Sequence, residues 1–265
     1  MRYERRLADL RAAEIPARLG PRSVLIQPIA AVEQHGPHLP LATDLIVAEA
    51  TVDAVVAERG DELDLWVLPS LAYGKSDEHA WAPGTVWLSA TTLLAVLGDL
   101  GRSLSTLATK RLAFVNGHGG NTQLLNVANR EIRREHGLLT FLLHPSVPRD
   151  AGGTEHVDVG HDTESGMGIH AGRDETSLLL HLRPELVDMD AARSCVPEDL
   201  LANQHVRFGG DVSFGWLASD FHASGVIGDP TAASAARGKQ LFESMIANLG
   251  ESLAEVSRFK FPTEG

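Results

Sequence analysis

Between residues 23 and 143, short runs of branched and aromatic residues alternate with longer stretches whose apolar residues recur at helical spacing. Few folds tolerate that rhythm. The runs at residues 24–29, 65–68, 112–115 and 140–143 have the length and composition of buried strands. Between them, "TDLIVAEATVDAVVAE" places Leu45, Val52, Val55 and Val56 on one helical face, and "SATTLLAVLGDLGRSLSTLA" repeats the pattern. "NTQLLNVANREIRREHG" ends at Gly137 after a basic last turn, as helices commonly do. Strands joined through helices lie parallel, because parallel neighbours need long crossovers, and those helices must cover both faces of the sheet. The expected fold is therefore α/β, a three-layer α/β/α arrangement with a mainly parallel sheet. One domain over residues 1–265 suffices, since that length buries a full core.

Two further segments carry expectations. In "GDPTAASAARGKQ", Asp229 stands as an N-cap and Pro230 at the first position of a closing helix. Residues 145–169 hold Pro, Gly, Asp and His with little periodicity, which suggests a functional excursion rather than a linker.

Composition removes several function classes. A formal charge of -12, with Lys and Arg scattered, opposes binding to nucleic acid. The apolar runs are too short to span a bilayer, and the first twenty residues lack the continuous apolar middle of a signal peptide. A cytoplasmic protein without membrane partners is expected. The single cysteine, Cys195, agrees with a reducing compartment and has no nearby histidine to make it a nucleophile.

Chemistry collects where such sheets place ligands, beyond the carboxyl ends of the strands. "EQHGPHLPLATD" follows the first run, "YGKSDEHAWAPGT" the second and "NGHGGN" the third. Glu33 and His35 are two apart, so an extended segment points both side chains the same way. Asp44 arrives where the next helix begins. Nitrogen and oxygen donors of this kind suit Zn or Mn, and a bridging Asp44 allows two ions. The alternative is that Asp44 or Thr43 merely caps the helix, and His38 reads as a supporting rather than a ligating histidine. "NGHGGN" has Thr122 where a dinucleotide loop needs glycine and lacks the Gly-Lys-Ser/Thr of a P-loop. Its glycines instead let the backbone pass close to something beside His118. In "GIHAGRDETSLLL", His170 and Glu175 stand at a helix start, where Asp174 and Glu175 also suit the helix dipole. Trp81 and Trp87 read as core residues.

Taken in order, "EQHGPHLPLATD", "GKSDEHAWAPGT", "NGHGGN" and "HAGRDETS" resemble the creatininase family of metal-dependent amidohydrolases. "SGVIGDPTAASAARGK" looks like that family's entry into its last helix, so the resemblance spans nearly the whole chain. It implies two divalent metal ions per subunit (Zn, Mn or Fe), with Glu33, His35, a bridging Asp44 and His118 at ligand positions. It further implies that His170 lies near the substrate, that Ser76 and His79 line the substrate pocket, and that subunits form a homo-oligomer, commonly a hexamer. Creatininase itself has Tyr and a ligating Glu after the motif's histidine, where this chain has Gly119 and Gly120. Glu175 is the candidate for the absent carboxylate, and the departure argues against creatinine as substrate.

The expected function is hydrolysis of a non-peptide C–N bond in a small-molecule amide, a cyclic amide or formamide. The ions would activate water, and His170 would protonate the leaving nitrogen. Two other branches resemble the chain: a formamidopyrimidine nucleotide deformylase, for which Lys75 and Arg173 would supply basic contacts, and a peptidase of the mycofactocin type that trims a modified peptide precursor. A non-catalytic metal-binding assembly protein is the competing class. Abundant donors beside a glycine-lined approach favour catalysis, since catalytic sites keep a position open.

Overall fold

Strand β1 (Val24–Ile29) is buried throughout, and its side chains alternate between two faces, which sets the layers. Val24 and Ile26 enter one apolar cluster, whereas Leu25 and Ile29 enter another on the opposite face. The computed structural model describes residues 5–147 and 164–262. β2 (Leu65–Val67) pairs with one edge of β1 and β3 (Arg111–Asn116) with the other, and β4 (Leu139–Leu143) lies beyond β3. All three pairings are parallel, with Val24 opposite both Leu65 and Arg111. Helices α2 (Thr43–Leu63) and α6 (Ala235–Arg258) cover the Val24 face. Helices α3 (Ala90–Leu104) and α4 (Thr122–His136) cover the Leu25 face, joined by residues around the short α1 (Ile15–Arg18). Helix α5 (Arg173–Leu182) packs on α6 and α2. The three-layer α/β/α expectation holds.

The details depart from the sequence pattern in ways local chemistry explains. α2 runs on to Leu63, where Asp64 adopts a left-handed conformation (φ 51°) and its carboxylate accepts from Ser23, Trp66 and Arg5. Leu45 is only half-buried on that helix, with Ala48 and Thr51 filling the contact instead. Asp229 does cap a turn, but that turn is the 3-10 segment Pro230–Ala232; extended Ala233 ends it, and Ser234 caps α6. Trp81 and Trp87, expected in the core, are each 42% exposed, beside exposed Tyr73, Val86 and Leu41. The expected excursion at 145–169 falls largely on residues 148–163, outside the described residues. No helix among the described residues is long and apolar enough to cross a membrane.

The sheet order is β2-β1-β3-β4. The chain leaves β1 for one neighbour and later returns to the other, so the loops after β1 and β3 part from each other over a crevice. Such a switch point at the carboxyl ends of parallel strands is where ligands bind in open α/β sheets.

Candidate metal centre

The loop after β1 is pinned in extended form, with the Glu33 amide donating to Leu41 O (2.9 Å) and the Val86 amide to Val32 O (2.9 Å). Glu33 and His35 therefore turn their side chains into the same buried space. His35 rests its Nδ1 against Glu33 O at 3.2 Å, which leaves Nε2 facing inward. Neither Asp44 nor Thr43 acts as the cap of α2: the N-cap is Ala42, with no side-chain bond, and Thr43 Oγ1 donates to Pro40 O. Asp44, in the first turn, is free to point across the crevice.

Its two oxygens face two different imidazoles. Oδ1 lies 3.1 Å from His35 Nε2, and Oδ2 lies 3.0 Å from His118 Nδ1. Oδ2 is buried and lacks any aligned hydrogen-bond donor. His118 is delivered from the end of β3, its backbone clamped by the Asn116 side chain at both N–H and C=O. Gly117 permits the approach, because a Cβ there would come within 2.9 Å of Asp44 O and of Ala48 Cβ.

Glu33 sits between four histidines. Its carboxylate oxygens lie 3.3 Å from His118 Nδ1, 3.4 Å from His79 Nε2, 3.6 Å from His170 Nδ1 and 4.0 Å from His35 Nε2. Ser76 is fully buried and donates its hydroxyl to Glu33, so it backs the carboxylate from behind the cavity wall rather than facing the cavity. The His170 ring is layered between those of His35 and His79, at 4.3 and 4.2 Å. Its Nε2–H donates to Gln34 O at 2.7 Å, while the Gln34 amide donates to His79 Nδ1 at 2.8 Å.

His170 and Glu175 come from the segment entering α5. His170 bridges to Ile227, and Ala171 takes a left-handed conformation (φ 53°) that aims its N–H at Glu175 Oε2, 2.6 Å away. Buried Glu164 ties this segment down, its Oε1 accepting from the amides of Arg173 (2.8 Å) and Asp229 (2.7 Å). Glu175 Oε2 then lies 3.9 Å from His35 Nε2. His38 stands apart, its Nε2 on Thr176 Oγ1 at 2.9 Å.

The electrostatics are those of a donor set crowded with acid. Burial, helped by the Asp44 charge, pushes Glu33 up to about 8 despite His118 and His35. Burial opposes charge on His35, yet Asp44, Glu175 and Glu33 together hold its imidazole up at about 10. His118 is raised likewise against its burial, by Glu33, Asp44 and Glu78. Although a third of the Glu175 side chain faces the cavity, surrounding protein raises its carboxyl too. His170 goes the other way: burial and the charge on His35 keep it neutral. Protons thus balance these acids where a cation would do so better.

Overlapping groups of donors lie within 4.8 Å of one another: Glu33, His35 and Asp44; His35, His170 and Glu175; Glu33, His79 and His170; Glu33, Glu78 and His118. Imidazole and carboxylate donors, with a buried carboxylate oxygen left unpartnered, fit divalent Zn, Mn or Fe. Most of them line a cavity of about 450 Å³ together with Phe214, Trp216 and Leu217. Glu78 and the aromatic lining are residues that sequence reasoning missed. Glu78 lay inside a motif noticed for its serine and histidine, and nothing in "FGWL" announces a pocket wall. Lys75 is committed to Asp77 (2.5 Å) and Glu78 (3.7 Å), which weakens the reading of a phosphate-binding pocket.

A three-layer α/β/α fold with a carboxylate and imidazole cluster at the switch point of its parallel sheet defines an α/β protein with a candidate divalent-metal centre. Residues 8–253 match the Creatininase family, described as creatinine amidohydrolase, and the chain belongs to that family. It is 39% identical over 232 residues to a "Mycofactocin precursor peptide peptidase" of Mycobacterium ulcerans (strain Agy99), covering 84% of this chain and 81% of that one. It is 34% identical over 184 residues to a "Creatinine amidohydrolase" of Pseudomonas putida, covering 63% of this chain and 67% of that one. A solved structure described as "Creatininase Mn" superposes with a TM-score of 0.75 at 26% identity, covering 95% of this chain and 98% of the other. The chain is accordingly a hydrolase, and the reading as a metal-binding assembly protein without turnover is set aside.

Proposed function

We propose that this protein hydrolyses an amide C–N bond at the end of a peptide, with two divalent ions held between Glu33, Asp44 and His118 on one side and His35, Asp44 and Glu175 on the other. The observation that carries the two-ion reading is Asp44, whose separate oxygens meet His35 and His118 at 3.1 and 3.0 Å. Ions so held supply Lewis-acid polarisation of a carbonyl and water acidified toward neutral pH. The chain's own groups do the rest. Ser76 fixes Glu33, and Gln34 fixes the ring orientations of His79 and His170. With Nε2–H spent on Gln34 O, neutral His170 keeps Nδ1 free to take a proton from the attacking water and pass it to the leaving nitrogen, and His79 lines the pocket beside it.

Two observations favour a peptide end over the small cyclic amide or formamide expected at first. The cavity, about 450 Å³ with an aromatic lining, lies in the range that accommodates ligands of several residues' bulk. The relative at 39% identity carries a peptidase name. The test loads the protein with Mn or Zn and follows, by mass spectrometry, short peptides with apolar ends beside creatinine and simple formamides. Peptide cleavage that vanishes on chelation is expected. Turnover of the cyclic amide alone would move the substrate assignment back to the small amides.

The exposed Trp81, Trp87, Tyr73 and Leu41 also support a homo-oligomer, because large apolar side chains at a surface are what subunit contacts bury. Light scattering is expected to give a multiple of 28.4 kDa, up to a hexamer. A monomer at micromolar concentration would exclude it.

A further inference from the structure

Glu78 belongs to none of the roles above, yet its carboxylate is aimed into the centre. It is carried on the 3-10 turn Asp77–His79, and its Oε1 lies 3.3 Å from His118 Nε2. The same nitrogen lies 2.9 Å from Lys75 O. A neutral imidazole has one N–H and one bare nitrogen, and the partner of one nitrogen decides the state of the other. Two acceptors at Nε2 hold the N–H there, so that a cation replacing the Nδ1 proton would find Nδ1 free on the side of Glu33 (3.3 Å) and Asp44 (3.0 Å).

Space for this arrangement exists because position 120 has no side chain. A Cβ built on Gly120 would collide with Glu78 Oε1 and come within 2.5 Å of His118 Nε2 and of Lys75 O. On its other side Glu78 Oε2 is 3.7 Å from Lys75 Nζ, so the carboxylate is held from both ends. We propose that Glu78 is a positioning residue that orients His118 through Nε2, and that Gly120 is bare in order to admit it. The proposal rests on the metal-centre reading for its consequence, since a carboxylate behind a ligating histidine fixes the ring and raises its basicity.

The experiment compares parent, Glu78→Gln, Glu78→Ala, Gly120→Ala and the double variant Glu78→Ala/Gly120→Ala. Divalent metal affinity is read by chelator competition, the His118 Nε2–H resonance by 1H-15N NMR, and folding by circular dichroism. Glu78→Ala is expected to weaken metal binding about 10- to 100-fold, with Glu78→Gln between it and the parent, because Gln keeps an acceptor and loses the charge. Gly120→Ala should weaken binding as Glu78→Ala does, and the double variant should be no weaker than the worse single one. The His118 Nε2–H signal should move in every variant. Metal affinity within twofold of the parent in folded Glu78→Ala, or fully additive losses, would overturn the proposal. Should Glu78→Ala fail to fold, Glu78→Gln decides by the same criteria. If the parent itself binds no divalent metal, the metal-centre reading fails separately; the Nε2–H signal then decides, a shift supporting Glu78 as the orienting group and an unchanged signal rejecting it.

Discussion

Asp44→Asn is expected to lose bound divalent metal and to lower kcat/KM for amide hydrolysis by at least about a hundredfold, the scale of breaking a buried charge partnership. The substitution keeps the shape of the side chain and takes away its charge. The two oxygens of Asp44 face His35 and His118 separately at 3.1 and 3.0 Å, nearer than the Glu33 oxygens at 4.0 and 3.3 Å, so Asp44 is the carboxylate placed closest to both halves of the donor set. An amide has a single acceptor oxygen and presents N–H to the other imidazole, which repels a cation where the carboxylate attracts one. Glu175→Ala should be milder: Glu175 Oε2 is 3.9 Å from His35, at one end of the set, and its removal takes from one half only. Elemental analysis after metal loading and dialysis separates the cases, about none retained for Asp44→Asn and about half for Glu175→Ala, if each ion contributes equally. Metal retained in full by Asp44→Asn would remove the two-ion reading altogether.

Much of this centre could be read from the chain because its ligands sit where elements begin and end. The short continuous apolar runs mark the strands, and strand ends locate Glu33, His35 and His118 without any knowledge of packing. Asp44 was ambiguous for a physical reason. An acid in the first turn of a helix suits the dipole whether or not it meets a metal, and only the neighbouring strand's histidine resolves which. Ser76 shows the opposite failure: its motif is legible, but whether a hydroxyl points into the cavity or behind it depends on a turn that spacing does not determine. Glu78 was invisible because its significance lies in a missing side chain at position 120, across the crevice and 42 residues away in sequence. The exposed tryptophans were misplaced because a large apolar residue in a single sequence does not show whether it faces core or surface.

The metal-free protein is expected to lose stability as pH rises from 7 to 8.5, and added Mn or Zn to abolish that loss. Above pH 7 the histidines with lowered values, His38 and His79 at about 4 and His170 well below its ordinary value, are neutral both folded and unfolded and contribute no slope. The raised groups remain. His35, at about 10, and His118, also raised, keep protons in the folded state that the unfolded chain has released by about pH 7. Glu33, at about 8, holds its proton far above the unfolded carboxyl range. The folded state therefore binds more protons than the unfolded, and stability must fall with rising pH, through Glu175 at about 7 first, then Glu33, and His35 last. A divalent ion takes the place of those protons, so loading should release them and flatten the dependence. The gap in Tm between loaded and metal-free protein should widen by several degrees, given about 2–4 °C per kcal/mol for chains somewhat shorter than this one. Calorimetry at the two pH values, with and without metal, measures the gap, and titration calorimetry in buffers of different ionisation enthalpy counts the released protons. A gap that stays constant, with no proton release, would mean that the buried acids and imidazoles neutralise one another without reference to a cation.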